Sequence, residues 1–522
     1  MMRGDEHVRL EVEVHLSTLL DMVESGCADR AMLGTDGGAM TGSVLAQTAR
    51  AGGVAVGHSA AVVYVGENHP YLPIALLAAA VAGVPYVPIN YRLDDALLSE
   101  LVRRYPGAVV LADGPSANRL AGLDLGSGDA LLVPLPFDDW LAHLPLEAPP
   151  PEPRFDDDEV AVVLFTSGTT GAPKAALLRH RHLMAYLLET VEFAGAGEDE
   201  AVLVAVPPYH VAGVANVLSN LFAGRRLVFL RGFDPDAWLE TVRTEGISNA
   251  MVVPTMLARI VDALDGRPAD VPTLRTLAYG GAKVSERVLL AALEAFPDAG
   301  FVNAYGLTET ASTIAVLGPD DHRAALTAPS GSVARQRLSS AGRVLPTVEV
   351  EVRDDLDRAL PVGESGTVHL RGEQISGEYA GESVLDSAGW FCTRDRGRID
   401  DEGYLFIEGR ADDTIIRGGE NIAPAEIEAV LLAHELVADA CVVGVPDDEW
   451  GQRIEAAVVL RSGSTVAPEE LQAAVRAELR SSKTPDRIVF RDSLPHTDTG
   501  KMLRRVVLDE LVARTVDRHD VT

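Results

Sequence analysis

The sequence predicts an α/β protein: a large N-terminal lobe of two parallel-type sheets with flanking helices and a small β-barrel-like subdomain, then a small, mobile α+β C-terminal domain. Three observations predict it. Short continuous apolar runs such as AAVVYVG (60–66) alternate with helical stretches through most of the chain. Shorter, alternating strand patterns take over from about residue 343. After Arg410 the texture changes again, to a compact unit with two proline-led helices.

The elements follow in order. The start, MMRGDEHVRLEVEV, has no apolar core of the signal-peptide kind, and its Val8, Leu10, Val12, Val14 alternation predicts a strand. Residues 71–89 carry no charge, but Pro73, Pro85 and Pro88 interrupt them. A helix running into a buried strand (VPYVPI) accounts for this better than a membrane span. Further strands are predicted at AVVLFTS (161–167), AVLVAVP (201–207), RLVFL (226–230), AMVVP (250–254) and TLAYGG (276–281). Continuous apolar runs followed by helices indicate parallel sheets covered on both faces. The proline- and acid-rich segment LEAPPPEPRFDDDE (146–159) reads as a surface connection, and TVEVEVRD, GTVHLRG and GYLFIEGR as the β-rich subdomain. Beyond it, one helix begins at Pro424 with Ile427, Val430 and Leu431 at helical spacing, the strand ACVVGVP follows, and a second helix begins near Pro468. The predicted domains are therefore 1–411 and 412–522.

Charge and cysteines exclude some functions. The 522 residues include 77 Asp and Glu against 45 Lys and Arg, a formal net charge of −32. Such a chain repels nucleic-acid backbones and anionic lipid, so neither is an expected partner. Any site for phosphates must gather positive charge locally. Cys27, Cys392 and Cys441 form no metal or disulfide pattern, which fits a reducing, cytoplasmic compartment.

The chemistry is concentrated in a few strings. LFTSGTTGAPKAALLRH (164–180) places Thr166, Ser167, Gly168, Thr169, Thr170, Gly171 and Lys174 directly after a strand. Glycines expose backbone N–H groups, hydroxyls add donors and the lysine adds charge, a combination suited to a polyphosphate. The spacing is not the Walker pattern, so a P-loop fold does not follow. Downstream lie VPPYHVAGV with His210, TLAYGGAKV with Tyr279, Gly280 and Gly281, and NAYGLTETAS (303–312). Small residues at the end of a strand let its backbone approach a ligand closely. WFCTRDRG, GYLFIEGRADD, RGGENIAPAEIE and PHTDTGKMLRR complete the series.

In this order the strings resemble the acyl-adenylate-forming (AMP-binding) superfamily, most closely its acyl-CoA synthetases and fatty-acid–CoA ligases. The stretch 66–93 also looks like that family, so the resemblance covers nearly the whole chain. It implies an ATP-dependent acid–thiol ligase that uses ATP, Mg²⁺ and coenzyme A on a small-molecule carboxylic acid. It further implies a nucleotide site with Asn303, Ala304 and Gly306 around the adenine, Tyr305 stacking nearby and Thr308 at the α-phosphate. Glu309 would hold the metal, while Asp395 and Arg410 would hold the ribose. His210 and Tyr279–Gly281 would wall the acid pocket, Asp412 would be the hinge, and Gly418 and Gly419 would border the thiol tunnel. Lys501 would be the late catalytic lysine, and physics agrees: a cation offsets the repulsion between a carboxylate and an α-phosphate. Lys483 is placed to meet a CoA phosphate, and the family points to a homodimer.

Two departures stand out. Arg394 and Ala175 occupy positions where the family commonly has glycine. Residues 206–216 contain no acid, whereas amino-acid-activating relatives place an aspartate nearby; a buried ammonium without a counter-charge is costly, so a fatty or other apolar acid is expected instead. The alternatives are an acyl-AMP ligase that loads an acyl carrier protein, and a catalytically silent nucleotide-binding homologue.

Overall fold

In the strand Val62–Val65 every residue is buried, and parallel neighbours flank it on both sides, Tyr86–Ile89 and Val109–Ala112. A strand covered on both faces has no polar side to present, which is why its sequence runs apolar without alternation. The computed structural model describes residues 14–519 apart from 36, 127–131, 150, 151, 153, 155, 167–172, 418, 419, 448, 449, 498 and 499. The expected N-terminal strand over Val8–Val14 falls almost wholly outside these.

Two sheets build the large lobe. The first has eight strands and is parallel from Val160–Thr166 through Tyr86–Ile89, Val62–Val65 and Val109–Ala112 to Pro134–Pro136. Lys174–Arg179 then adds an antiparallel edge to Val160–Thr166. The second sheet has 13 strands. Its parallel part contains Arg226–Phe229, Ala201–Val204, Asn249–Val252, Thr276–Gly280 and Gly300–Leu307. At Gly300–Leu307 the ladder turns antiparallel, pairing with Ser312–Leu317.

The strands expected in a β-barrel-like subdomain continue this second sheet. Gly342–Val344, Tyr404–Arg410, Phe391–Ile399, Gly366–Arg371 and Glu349–Arg353 extend its edge in an antiparallel ladder. They carry their own core, including Ile314, Val368, Leu370, Phe391 and Leu405. One face of this extension is solvated, and that is the source of the alternating pattern.

The uncharged stretch resolves into the helix Leu72–Ala82, buried along nearly its whole length, and the buried strand Tyr86–Ile89. Gly83 caps the helix in the left-handed conformation, with its N–H on the Ala79 and Ala80 carbonyls. Among the described residues no helix is long and apolar enough to cross a membrane.

The turn Ala411–Asp413 leads from the large lobe into the C-terminal domain. There the strands Val437–Asp447, Gly451–Leu460 and Arg487–Arg491 form one sheet. One face packs on the helices Pro424–Ala433 and Pro468–Glu478 through Ile427, Leu431, Leu471 and Val475. The other takes Val507 and Leu511 of the helix Arg504–His519.

Candidate active site

The hydroxyl-rich loop is carried by a β-hairpin. Thr166 pairs with Lys174 across the ladder, and its Oγ1 donates to the Lys174 carbonyl at 3.5 Å. Ser167, Gly168, Thr169, Thr170 and Gly171 lie outside the described residues, as do Gly418 and Gly419. The exposed Lys174 ammonium sits 5.8 Å from the Tyr379 ring centroid. Ala175 pairs with Phe165, accepts a hydrogen bond from the Ala380 N–H at 3.0 Å, and is not among the positive-φ residues. Alanine is therefore no strain at this position.

Glu309 sits in the 3-10 turn Thr308–Thr310, which several contacts pin. The Leu307 N–H donates to Thr310 Oγ1 at 2.9 Å, the Gln374 amide donates to the Thr310 and Thr313 carbonyls at 2.9 Å, and the Ser376 N–H donates to the Glu309 carbonyl at 2.8 Å. The preceding hairpin is so tight that a Cβ on Gly306 would lie 1.7 Å from the Ser312 carbonyl oxygen. Only glycine fits there. The Glu309 carboxylate accepts the Tyr379 hydroxyl, and burial raises its pKa. A desolvated carboxylate facing a cleft is stabilised by a cation, so it suits a divalent metal.

A second constellation forms where the extended edge meets the parallel strands. Asp395, 4% exposed, stands opposite Arg410 in the ladder. Its carboxylate accepts from Arg410 Nη1 at 2.7 Å and from the Tyr305 hydroxyl at 2.5 Å. Arg410 also donates to the Thr393 carbonyl at 3.2 Å. Arg394 keeps the backbone that glycine favours, with φ +58°, at a bulge in the ladder. That conformation costs a side-chain-bearing residue about 1–2 kcal/mol. Its guanidinium lies 3.8 Å from the carboxylate of Asp412, in the turn between the domains.

The neighbouring backbone is closely packed. Ala304 lies between Gly280 and Val316 in the ladder, and the Asn303 amide donates to the Ser340 carbonyl at 3.2 Å. Thr308 opens the 3-10 turn, its carbonyl accepting the Ala311 N–H. Gly281 has φ +89°. Tyr279 is expected to wall the acid pocket. Its ring is 2% exposed within the second core, and its hydroxyl hydrogen-bonds His322 Nε2 at 2.8 Å. Strand alternation turns Tyr279 away from the face that Gly280 presents.

His210 precedes the helix Val211–Ala223 at its N-cap position, its ring 4.6 Å from that of Tyr209. Beneath this helix is a small apolar cavity of about 10 Å³, lined by residues including Leu72, Leu76, Val206, Val214 and Phe229. A second, polar cavity of about 110 Å³ brings together Arg92, Arg231 and Arg259 with Glu67 and Thr255. Positive charge is gathered locally against the acidic background, as the composition requires.

The C-terminal domain reaches this region through the turn bearing Lys501. Its ends are tied: the Thr497 N–H donates to the Lys501 carbonyl at 2.8 Å, and the Lys501 N–H donates to Thr497 Oγ1 at 3.0 Å. Gly500, with φ +78°, lies directly on Thr255, where a Cβ would be 2.5 Å from Thr255 Cγ2. Lys501 keeps an exposed edge, yet it enters the cleft far enough that desolvation, with Arg410 nearby, lowers its pKa. Asp395, Asp413 and Glu309 pull the other way. Five expected site residues, Lys501, Glu309, Tyr305, Asp395 and Arg410, thus share one cleft. Two contributors have no signature in the sequence, Tyr379 on Glu309 and Thr255 under Gly500.

Comparisons with known proteins bear on the family and the fold. Residues 45–380 match the AMP-binding enzyme family, and residues 426–501 match the AMP-binding enzyme C-terminal domain. The chain belongs to the AMP-binding enzyme family. Among its curated relatives, a fatty acid–[acyl-carrier-protein] ligase, ScoC, of Streptomyces coeruleorubidus is 34% identical, covering 89% of each chain. A feruloyl-CoA synthase of Amycolatopsis sp is 33% identical over 88% of this chain and 90% of its own. Among solved structures, ATP-bound MatB from Rhodopseudomonas palustris superposes with a TM-score of 0.82 at 25% identity, covering 96% of this chain and 99% of its own. The α/β architecture and the small C-terminal domain of this AMP-binding enzyme match those of the adenylate-forming structures.

Proposed function

We propose that this member of the acid–thiol ligase family activates an apolar carboxylic acid as its acyl-adenylate and then transfers the acyl group to coenzyme A. The carrying observation is the docking of the Lys501 turn on the large lobe, Gly500 lying against Thr255, with Lys501 within electrostatic reach of Arg410, Asp395 and Glu309. The acid carboxylate attacks the α-phosphorus of ATP, a bond forms to the acid oxygen, and pyrophosphate leaves with the electron pair of the broken P–O bond. Lys501 lies between the two anions and lowers their repulsion in the transition state. Thr166 and Lys174 flank the loop that takes the outer phosphates. Asp395 and Arg410 hold the ribose and Thr308 approaches the α-phosphate. Glu309, oriented by Tyr379, would hold Mg²⁺, which when bound supplies charge neutralisation at the phosphates. The C-terminal domain then rotates about Asp412, withdrawing Lys501 so that the thiol reaches the acyl carbonyl and AMP departs.

The absence of acid from 206–216 supports an apolar substrate. A carrier-loading reading has its own observation in favour. Lys483, expected to meet a CoA phosphate, is paired with Glu426 and its side chain is only 14% exposed. A panel of fatty and aromatic acids assayed for pyrophosphate release, followed by thioester analysis with CoA and with a holo-carrier protein, separates the readings. Pyrophosphate release without CoA thioester would overturn the CoA assignment, and no acid-dependent release would overturn the enzyme reading altogether.

The docking of Gly500 on Thr255 gives a separate expectation. Gly500→Ala slows acid-dependent ATP–pyrophosphate exchange about tenfold, the equivalent of about 1.4 kcal/mol of undocking and left-handed strain. Adding Thr255→Ala recovers part of the loss. An unaltered exchange rate in Gly500→Ala would mean that this contact does not form during adenylation.

A further inference from the structure

The two acids of the turn between the domains are bound from different sides. Asp412 is exposed and lies 3.8 Å from Arg394 of the large lobe. Asp413 is half-buried and accepts from Arg504 Nε of the C-terminal domain at 3.3 Å. Arg504 stands 91 residues further along the chain, as the first residue of the helix Arg504–His519. It directly follows the turn that bears Lys501, whose base is closed by the Leu503 N–H donating to the Pro495 carbonyl at 2.9 Å. The rest of the guanidinium is anchored inside its own domain. Nη2 donates to Glu428 Oε2 at 3.1 Å, and Nη1 donates to Glu428 Oε1 and, at 2.6 Å, to the Val442 carbonyl. Glu428 is fixed in turn, its Oε1 accepting the Val442 N–H at 2.7 Å.

We infer that Arg504 is a positioning residue for Lys501: its bond to Asp413 fastens the base of the lysine-bearing turn to the turn between the domains, so that the two move as one body. Under the two-step reaction proposed above, on which this rests, rotation about Asp412 carries Lys501 into and out of the cleft. The division of the turn fits that motion. Arg394 ties Asp412 to the large lobe and Arg504 ties Asp413 to the C-terminal domain, so the change of body falls between adjacent residues. A rotation begun there reaches the Lys501 turn through one side chain rather than around the whole domain.

Arginine suits this post. Its planar fork serves two carboxylates and a carbonyl at once, which a single ammonium cannot reach together. Burial works against the Arg504 charge, but Glu428, Cys441 and Asp413 outweigh it and its pKa is raised, so the clasp stays ionic across the pH range of an assay.

The test measures both half-reactions of the full-length protein: acid-dependent ATP–pyrophosphate exchange, and thioester formation from supplied acyl-adenylate. Asp413→Asn removes one end of the clasp and leaves Arg504 on Glu428 and Val442, so the C-terminal domain keeps its internal anchor. Exchange is expected to fall about tenfold in kcat with KM for ATP unchanged, the loss of one charge-assisted hydrogen bond. The thioester step, which does not use Lys501, stays near the native rate. Asp413 also raises the Lys501 pKa by its charge, so its loss moves the alkaline limb of exchange to lower pH. A charge effect alone would spare the plateau below that limb, whereas a misplaced Lys501 lowers the plateau itself. Arg504→Lys, which keeps the charge but not the fork, should show the same split between half-reactions. A native plateau in Asp413→Asn, or parallel losses in both half-reactions, overturns the inference. Lys501→Ala separates the two levels: if it exchanges at the native rate, the reaction is misassigned and the inference falls with it. If Lys501→Ala is slow and Asp413→Asn is not, the positioning role alone falls.

Discussion

Lys501→Ala is expected to lower acid-dependent ATP–pyrophosphate exchange by about 10²–10³-fold, the scale of removing one charge-stabilising donor from a transition state. The same protein, supplied with preformed acyl-adenylate, should make thioester at close to the native rate, because the ammonium has left the cleft by then. The pH dependence of the first step gives an independent check. If adenylation needs Lys501 charged, as proposed, desolvation matters here, because it lowers the Lys501 pKa below the ordinary 10.5. As pH rises through that lowered value the proton is lost and exchange falls, so the alkaline limb lies below the usual lysine range. Lys501→Arg keeps its charge and should lack this limb, whatever its maximal rate. Equal losses in both half-reactions of Lys501→Ala would remove this lysine from the mechanism.

What the sequence made legible lies in contiguous strings. The hydroxyl loop, the Tyr305–Glu309 run and the Lys501 turn each concentrate several polar or charged groups within a few residues, so their proposed chemistry is suggested before any fold is known. The helix-and-strand alternation predicted the parallel sheets for a related reason: burial on both faces writes itself into local composition. Contacts made across the fold left no such trace. Tyr379 reaches Glu309 from 70 residues away, out of a strand only two residues long. Thr255 meets Gly500 across the domain junction, and neither side of that contact has an unusual neighbourhood in the sequence. Tyr279 shows what strand period alone leaves open. A strand of period two tells that Tyr279 and Gly280 face opposite ways, but not which of them faces the cleft; the His322 partner decides it. Arg394 was visible as a departure, and only the backbone shows its consequence. The bulge keeps its left-handed turn, and the added guanidinium gains a neighbour in Asp412.

The largest effect on nucleotide binding is expected at Asp395. If this carboxylate grips the ribose, each hydroxyl it accepts is a charge-assisted hydrogen bond worth about 1.5–3 kcal/mol, and losing the grip should lower kcat/KM for ATP by about 10²-fold. Asp395→Asn is the informative variant, because it keeps the size of the side chain under Tyr305 while removing its charge from Arg410. A fall in kcat/KM alone is ambiguous, since a displaced Arg410 would lower it too. Comparison of ATP with 3′-deoxy-ATP separates the two causes. The native protein should prefer ATP by about tenfold or more, the value of one such hydrogen bond. In Asp395→Asn that preference should shrink, because the carboxylate that measured the hydroxyl is gone. Were the variant to discriminate between the two nucleotides as strongly as the native protein, Asp395 would be acting only as the anchor of Arg410 and Tyr305, and the ribose would have to be held by another group.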